Sequence, residues 1–201
     1  MSTIGILGSG RVATVLANKL ATTGHDVTIG TRNADALNWT GAPITVADYE
    51  STARRAELVI NATPGDGAIQ RFGALSAALD GKILVDVSNT HGPSGSEHSL
   101  AELLQTALPA TRVVKTLNTM FFTVMTDPHS LRIPPTAFLS GNDAAAKTVV
   151  TALLTDLGWP TDWIEDLGDL STARGTEAMM LLIPSLIRNR GLAPFALTIA
   201  A

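Results

Sequence analysis

This sequence is expected to fold as an α/β protein of the Rossmann type, a doubly wound, mostly parallel sheet with a small helical C-terminal extension. Three observations carry the expectation. A short apolar run, Thr3 to Leu7, leads into Gly8-Ser9-Gly10 and then into a stretch of helical period. Strand-like runs recur along the chain, separated by helical or loop segments and never by a two-residue hairpin turn. From Ser171 onward the pattern is helical.

Thr3 to Leu7 reads as a buried strand, and Val12, Val15, Leu16 and Leu20 lie at helical spacing within Val12 to Thr22. Gly24 closes that helix as a C-cap would, and His25 to Gly30 alternates polar residues with Val27 and Ile29. Further strands are expected at Ile44 to Val46, Leu58 to Ala62, Ile83 to Val87, Arg112 to Leu117 and Thr136 to Leu139. Asn142 or Asp143 can cap a helix over Ala144 to Leu157. Trp159 to Ile164 is expected as a late strand, and Ser171 to Asn189 as one long helix kinked at Pro184. Asn89 to Ser99, rich in Gly, Pro and Ser, reads as an exposed loop. The chain is thus expected as a nucleotide-binding part, residues 1–141, with a small C-terminal part, residues 142–201, packed on it as one unit.

A charged fraction of 16% and an apolar fraction of 45% describe a core-rich globular protein. Net charge is −4 and no basic run occurs, so the phosphate-neutralising stripe that nucleic acid needs is missing. There are no cysteines, which excludes disulfides, thiolate nucleophiles and Cys-ligated zinc. No secretory hydrophobic region precedes the first strand, and a cytoplasmic location is the expectation. Apolar stretches break early, as at Leu181-Leu182-Ile183 before Pro184, so no membrane span is expected.

The strongest motif is Gly8-x-Gly10-x-x-Ala13, between the first strand and the first helix. There glycines let backbone amides approach a pyrophosphate, and the helix dipole stabilises it. At the end of the second strand an NAD enzyme places a carboxylate for the ribose hydroxyls, whereas this chain has Gly30-Thr31-Arg32-Asn33. An arginine attracts a 2′-phosphate and can bind it bidentately, which favours NADP(H); the alternative is a solvated surface arginine.

Asn61-Ala62-Thr63-Pro64-Gly65 ends the fourth strand, where a turn can lie along the nicotinamide ribose or simply start a helix at Pro64. Asn89 and Asn118 follow the next two strands at the same edge and are expected to face the crevice where a second substrate meets the cofactor. Lys115 could donate a proton in a reductase or pair with a core carboxylate such as Asp86. Met120-Phe121-Phe122-Thr123-Val124-Met125 could wall a flat ring system or be plain core. His91, Glu97 and His98 match no common zinc spacing, so no metal site is expected. No Gly-x-Ser-x-Gly elbow is present, which disfavours a serine hydrolase.

On these residues the chain resembles the coenzyme F420-dependent NADP oxidoreductases, which move hydride between the deazaflavin F420 and NADP. The likeness runs almost the full length. It is carried by Ile4-Gly5-Ile6-Leu7-Gly8-Ser9-Gly10-Arg11-Val12, Thr31-Arg32, Ala62-Thr63-Pro64, and Asp166-Leu167-Gly168-Asp169-Leu170-Ser171-Thr172-Ala173-Arg174 followed by Glu177. The resemblance implies that Ser9 to Val12 and Thr31-Arg32 hold the NADP and that Asn118 and Ser171 approach the second substrate; Thr119 and Met120, next to Asn118, are expected there with them. Asn118 stands where some archaeal members carry His, and Ala36 where they carry a cation. The Rossmann domain of the transmembrane ferric reductases is similar too.

The expected activity is hydride transfer between NADP(H) and F420, with the protein supplying alignment and a dry crevice. NADPH-dependent reduction of a flavin, quinone, carbonyl or imine, with Lys115 as proton donor, is the alternative enzyme, and an NADP(H) sensor without turnover is a third reading. Met179 to Ile183, Leu186 and Ile187 make the last helix apolar nearly all round, so a homodimer is expected.

Overall fold

In the computed structural model, residues 1–34, 37–90 and 97–199 are described. Eight strands form one sheet in the order β3-β2-β1-β4-β5-β6-β7-β8. They are β1 Thr3–Leu7, β2 Asp26–Gly30, β3 Thr45–Ala47, β4 Leu58–Asn61, β5 Ile83–Asp86, β6 Arg112–Thr116, β7 Ala137–Gly141 and β8 Ile164–Gly168. All neighbours pair in parallel except β6 and β7, which run antiparallel. The helices are α1 Arg11–Thr22, α2 Tyr49–Arg55, α3 Ala68–Gly73, α4 Ser76–Leu79, α5 Leu100–Ala107, α6 Ala144–Asp156, α7 Ala173–Ala178 and α8 Ile183–Arg190.

Alternation along each strand assigns its residues to two cores, one on each face of the sheet. Ile4, Ile6, Leu58, Ile60, Ile83, Val85 and Val114 pack with α1 and α6 on one face. Val59, Leu84 and Val113 pack with α2, α3, α4 and α5 on the other. Gly5 lies under α2, where an added Cβ would stand 3.0 Å from both Ala56 Cβ and Thr52 Cγ2. Strand order reverses at β1, flanked by β2 and β4, and that switch point opens a crevice at the strands' carboxyl ends.

Two expectations are corrected. The late strand is Ile164–Gly168, not Trp159 to Ile164. Trp159 is a buried plug of the core whose Nε1 donates to the Met125 carbonyl at 3.0 Å, and Thr161–Trp163 is a single 3-10 turn. The stretch from Ser171 to Asn189 is not one helix. Asp169 caps a 3-10 turn, Leu170–Thr172, α7 follows, a second 3-10 turn occupies Met179–Leu181, and α8 begins afresh. Pro184 sits in the first turn of α8, where its missing N–H costs no hydrogen bond, so it starts a helix instead of bending one.

Candidate functional site

Register places Gly30, Leu7, Asn61, Asp86 and Lys115 side by side in one row at the carboxyl edge of the sheet. Above this row lies a cleft of about 1230 Å³. Gly8, Ser9, Gly10, Arg11, Val12, Thr31, Arg32, Ala62, Thr63, Pro64, Asn89 and Met120, each read from sequence as a site residue, line it together.

One half of the cleft is built for phosphate. Gly8 has φ +123°, and a Cβ there would stand 2.5 Å from the Ala62 carbonyl oxygen of the neighbouring turn, so this turn closes only with glycine. Gly10 is the N-cap of α1 with no side-chain cap, and open space lies where its Cβ would be. The first-turn N–H groups of α1 therefore lack side-chain acceptors on the cleft side, which is the arrangement an anion satisfies. The Thr31 hydroxyl donates to Ser9 Oγ at 3.2 Å, bringing the ends of β1 and β2 together beside Arg32. These groups fit a dinucleotide phosphate and a 2′-phosphate.

At the ends of β4 and β5 the wall is polar and fully bonded. Asn61 Oδ1 accepts from the Thr63 N–H at 3.0 Å and the Thr63 hydroxyl at 2.6 Å. Its Nδ2 donates to Asp86 Oδ1 at 2.8 Å. Asp86 Oδ1 also accepts from the Ser88 hydroxyl at 2.7 Å. Arg71 donates to Thr63 Oγ1 and to the Pro64 carbonyl, which fixes the turn after β4.

The opposite wall is apolar. Met120, Phe121, Phe122 and Met125, from the segment flagged as a possible ring wall, all face the cleft. Phe121 packs on Phe122 with centroids 4.6 Å apart, and the Arg11 guanidinium lies 5.6 Å from the Phe122 centroid. The C-terminal segment returns across this wall: Met120 pairs with Ala196 in an antiparallel bridge, and the Phe121 N–H donates to the Phe195 carbonyl at 2.8 Å. Ile183, Ile187, Leu192 and Phe195 complete the lining. Sequence reasoning missed these four, because only the tertiary return of the chain brings them to the cleft.

Four expected site residues lie elsewhere. Asn118 is buried behind the cleft: its Nδ2 donates to Asn89 Oδ1 at 3.1 Å, and Asn89 Nδ2 donates to its carbonyl at 2.8 Å. Asn118 thus braces Asn89. Thr119 is buried beside it and gives its carbonyl to the Leu197 N–H. Ser171 stands on an exposed 3-10 turn with its hydroxyl on Asp169 Oδ1. Lys115 is 0% exposed and bonds Asp86 Oδ2 at 2.8 Å, the Ser88 carbonyl at 2.5 Å and Glu177 Oε1 at 3.1 Å. Its three donors meet three acceptors, so the core pairing with Asp86 is the one observed and no N–H remains for a substrate.

Ala36 and His91 fall outside the described residues. Among the described residues no group of three or more His, Cys, Asp or Glu could hold a metal. Arg11, Arg32 and Tyr49 are the ionisable side chains among the described residues that line the cleft. It presents no carboxylate, imidazole or amine from them.

The family profile described as "NADP oxidoreductase coenzyme F420-dependent" matches residues 3–90. A crystal structure of a candidate F420-dependent NADP reductase from Arthrobacter sp. FB24 superposes with a TM-score of 0.89 at 38% identity, covering 100% of both chains. The metalloreductase STEAP3 of Rattus norvegicus is 31% identical over 190 residues, which span 90% of this chain and 37% of the relative. The chain therefore spans little more than a third of the curated relatives it matches. An imine reductase from Streptomyces aurantiacus, at 19% identity and a TM-score of 0.65, covers 92% of this chain and 61% of its own and shares the fold.

Proposed function

We propose that this chain, which belongs to the family of coenzyme F420-dependent NADP oxidoreductases, is an NADP-dependent enzyme that transfers hydride between NADP(H) and the deazaflavin F420. The observation that carries this reading is the two-sided cleft, with a phosphate-binding glycine turn and Arg32 at one end and an aromatic and aliphatic wall at the other. NADP(H) supplies the hydride chemistry at its nicotinamide C4 when bound.

In this reading Gly8 to Val12 receive the pyrophosphate on backbone amides at the start of α1. Arg32, with the Thr31 and Ser9 hydroxyls beside it, holds the 2′-phosphate. Ala62, Thr63, Pro64 and Asn89 lie along the nicotinamide ribose, as the carboxyl edge of such a sheet implies. Met120, Phe121, Phe122 and Met125 would wall the second ring and keep water from it. Hydride transfer to a deazaflavin asks for alignment and dryness, with reacting carbons about 3–3.5 Å apart, and asks for no protein acid or base. That matches a wall without carboxylate, imidazole or amine among its described residues.

A reductase of another acceptor is the second reading, favoured by the sequence likeness to the metalloreductase STEAP3 over 190 residues. A flat flavin suits the same aromatic wall. A carbonyl or imine needs a proton, and Lys115, the candidate donor, spends all its N–H groups within the core.

The test is anaerobic mixing of protein, NADPH and F420 with the deazaflavin absorbance followed in time. Rapid bleaching supports the proposal; bleaching of a flavin but not of F420 transfers it to the second reading.

A further inference from the structure

A chain of buried polar contacts, unused by hydride transfer itself, ties the cleft's polar wall to the C-terminal segment. Thr63 and Ser88 line the cleft, Asn61 and Asp86 hold them from below, and Asp86 passes its other oxygen to Lys115. Lys115 reaches Glu177 of α7 at 3.1 Å. Glu177 in turn accepts from the N–H groups of Leu100 at 2.8 Å and Ala101 at 3.3 Å, in the first turn of α5. From Glu177 the chain runs on to Ile183 and Ile187, which line the same cleft from its apolar side. The network therefore lines the cleft at Thr63 and Ser88 and ends on α7, the helix that leads into the C-terminal lining.

We propose that Lys115 and Glu177 are positioning residues: their buried ion pair sets Thr63 and Ser88 against the C-terminal wall and so fixes the nicotinamide half of the cleft. The physical reason is that a buried polar network with every donor and acceptor met holds a single geometry, whereas one lost partner leaves a buried charge to be met by rearrangement. Lys115 has three acceptors for three donors, and Asp86 and Glu177 are each bonded on both oxygens. The 2′-phosphate half stands on other elements, β1, α1 and the end of β2, and among the described residues Arg32 and Thr31 share no hydrogen bond with the network. Disturbing Glu177 thus loosens one half of the cofactor site and spares the other.

The inference rests on NADP(H) occupying the cleft, and its test separates the two claims. Calorimetric titration with 2′,5′-ADP reads the phosphate half alone, and titration with NADPH reads both halves. In Glu177→Gln, with its unfolding midpoint measured alongside, NADPH affinity falls by about tenfold while 2′,5′-ADP affinity stays within about twofold. Should Glu177→Gln not fold, the Asp86→Asn/Lys115→Met double variant, which takes the Lys115 cation from Glu177, neutralises Asp86 and keeps an acceptor for Ser88, is expected to show the same split. Parallel weakening of both ligands, or no change in either, overturns the proposal. Wild-type protein that bound neither ligand would overturn the cofactor reading and this inference with it.

Discussion

Arg32 is the residue we propose to carry the choice of cofactor, because Thr31-Arg32-Asn33 directly follows β2 where an NAD enzyme places a carboxylate, and Arg32 lines the cleft with the bonded Thr31 and Ser9. A hydrogen bond to a charged partner contributes about 1.5–3 kcal/mol, so Arg32→Ala is expected to weaken NADPH by roughly tenfold to a hundredfold. NADH binding is expected to stay unchanged, and equal losses on both nucleotides would leave Arg32 without that role. Gly8→Ala forces a side chain onto the Ala62 carbonyl at φ +123°, so a loss of at least about 1–3 kcal/mol in stability is expected in chemical denaturation. That these residues line the cleft was legible in the sequence, from the glycine turn after the first strand and from Thr31-Arg32 at the end of the second. Ser171, Thr119 and Asn118 were not, since which way a side chain faces at a strand end depends on neighbours far along the chain. Asn118 braces Asn89 from behind instead of facing the cleft itself.

The helix α5 begins at a reciprocal cap, in which Ser99 Oγ accepts from the Glu102 N–H and Glu102 accepts from the Ser99 N–H. Burial raises the Glu102 pKa, but the bonds from Ser99 and the Arg174 guanidinium outweigh it and hold the carboxyl below its ordinary value of 4.5. A carboxylate lowered in the folded state stabilises the protein above its unfolded pKa, and that contribution is lost as pH falls through the folded value. Thermal stability is therefore expected to hold from pH 7 to about 5 and then decline, with a shallower decline in Glu102→Gln. An acid limb identical in the two proteins would remove Glu102 from the explanation. Ser99→Ala is expected to cost about 1 kcal/mol, a drop of about 2–4 °C in Tm. The Ser99 to Glu102 spacing is itself a sequence signal of a helix start, as are the apolar runs of the parallel strands. Trp159 misled because a short run with Thr161, Trp163 and Ile164 reads as strand, whereas here Trp159 is buried with its Nε1 on the Met125 carbonyl. Asp169 capping a 3-10 turn likewise breaks a stretch whose apolar period reads as one helix.

Taken together, the doubly wound, mostly parallel sheet was readable from the alternation of patterns, whereas its strand order and the antiparallel β6–β7 pair came only from the fold. What periodicity could not show was the return of the C-terminal segment over Met120 and Phe121, held by backbone bonds between residues far apart in sequence. Its α8 contains no buried residue, and Leu181 and Leu182 just before it are exposed at 57% and 55%, although Ile183 and Ile187 of the same segment face the cleft. We expect this outer face to be covered by a second copy of the chain, giving a homodimer in sizing with light scattering; a monomer at micromolar concentration would contradict it. Among the described residues no helix is long and apolar enough to cross a membrane. Hydride exchange between NADP(H) and F420 in one cleft is read most directly by stopped-flow absorbance of oxidised F420 mixed anaerobically with the protein and either NADPH or NADH. Rapid bleaching is expected with NADPH and little with NADH; NADPH that binds tightly yet leaves F420 oxidised would overturn the proposed activity.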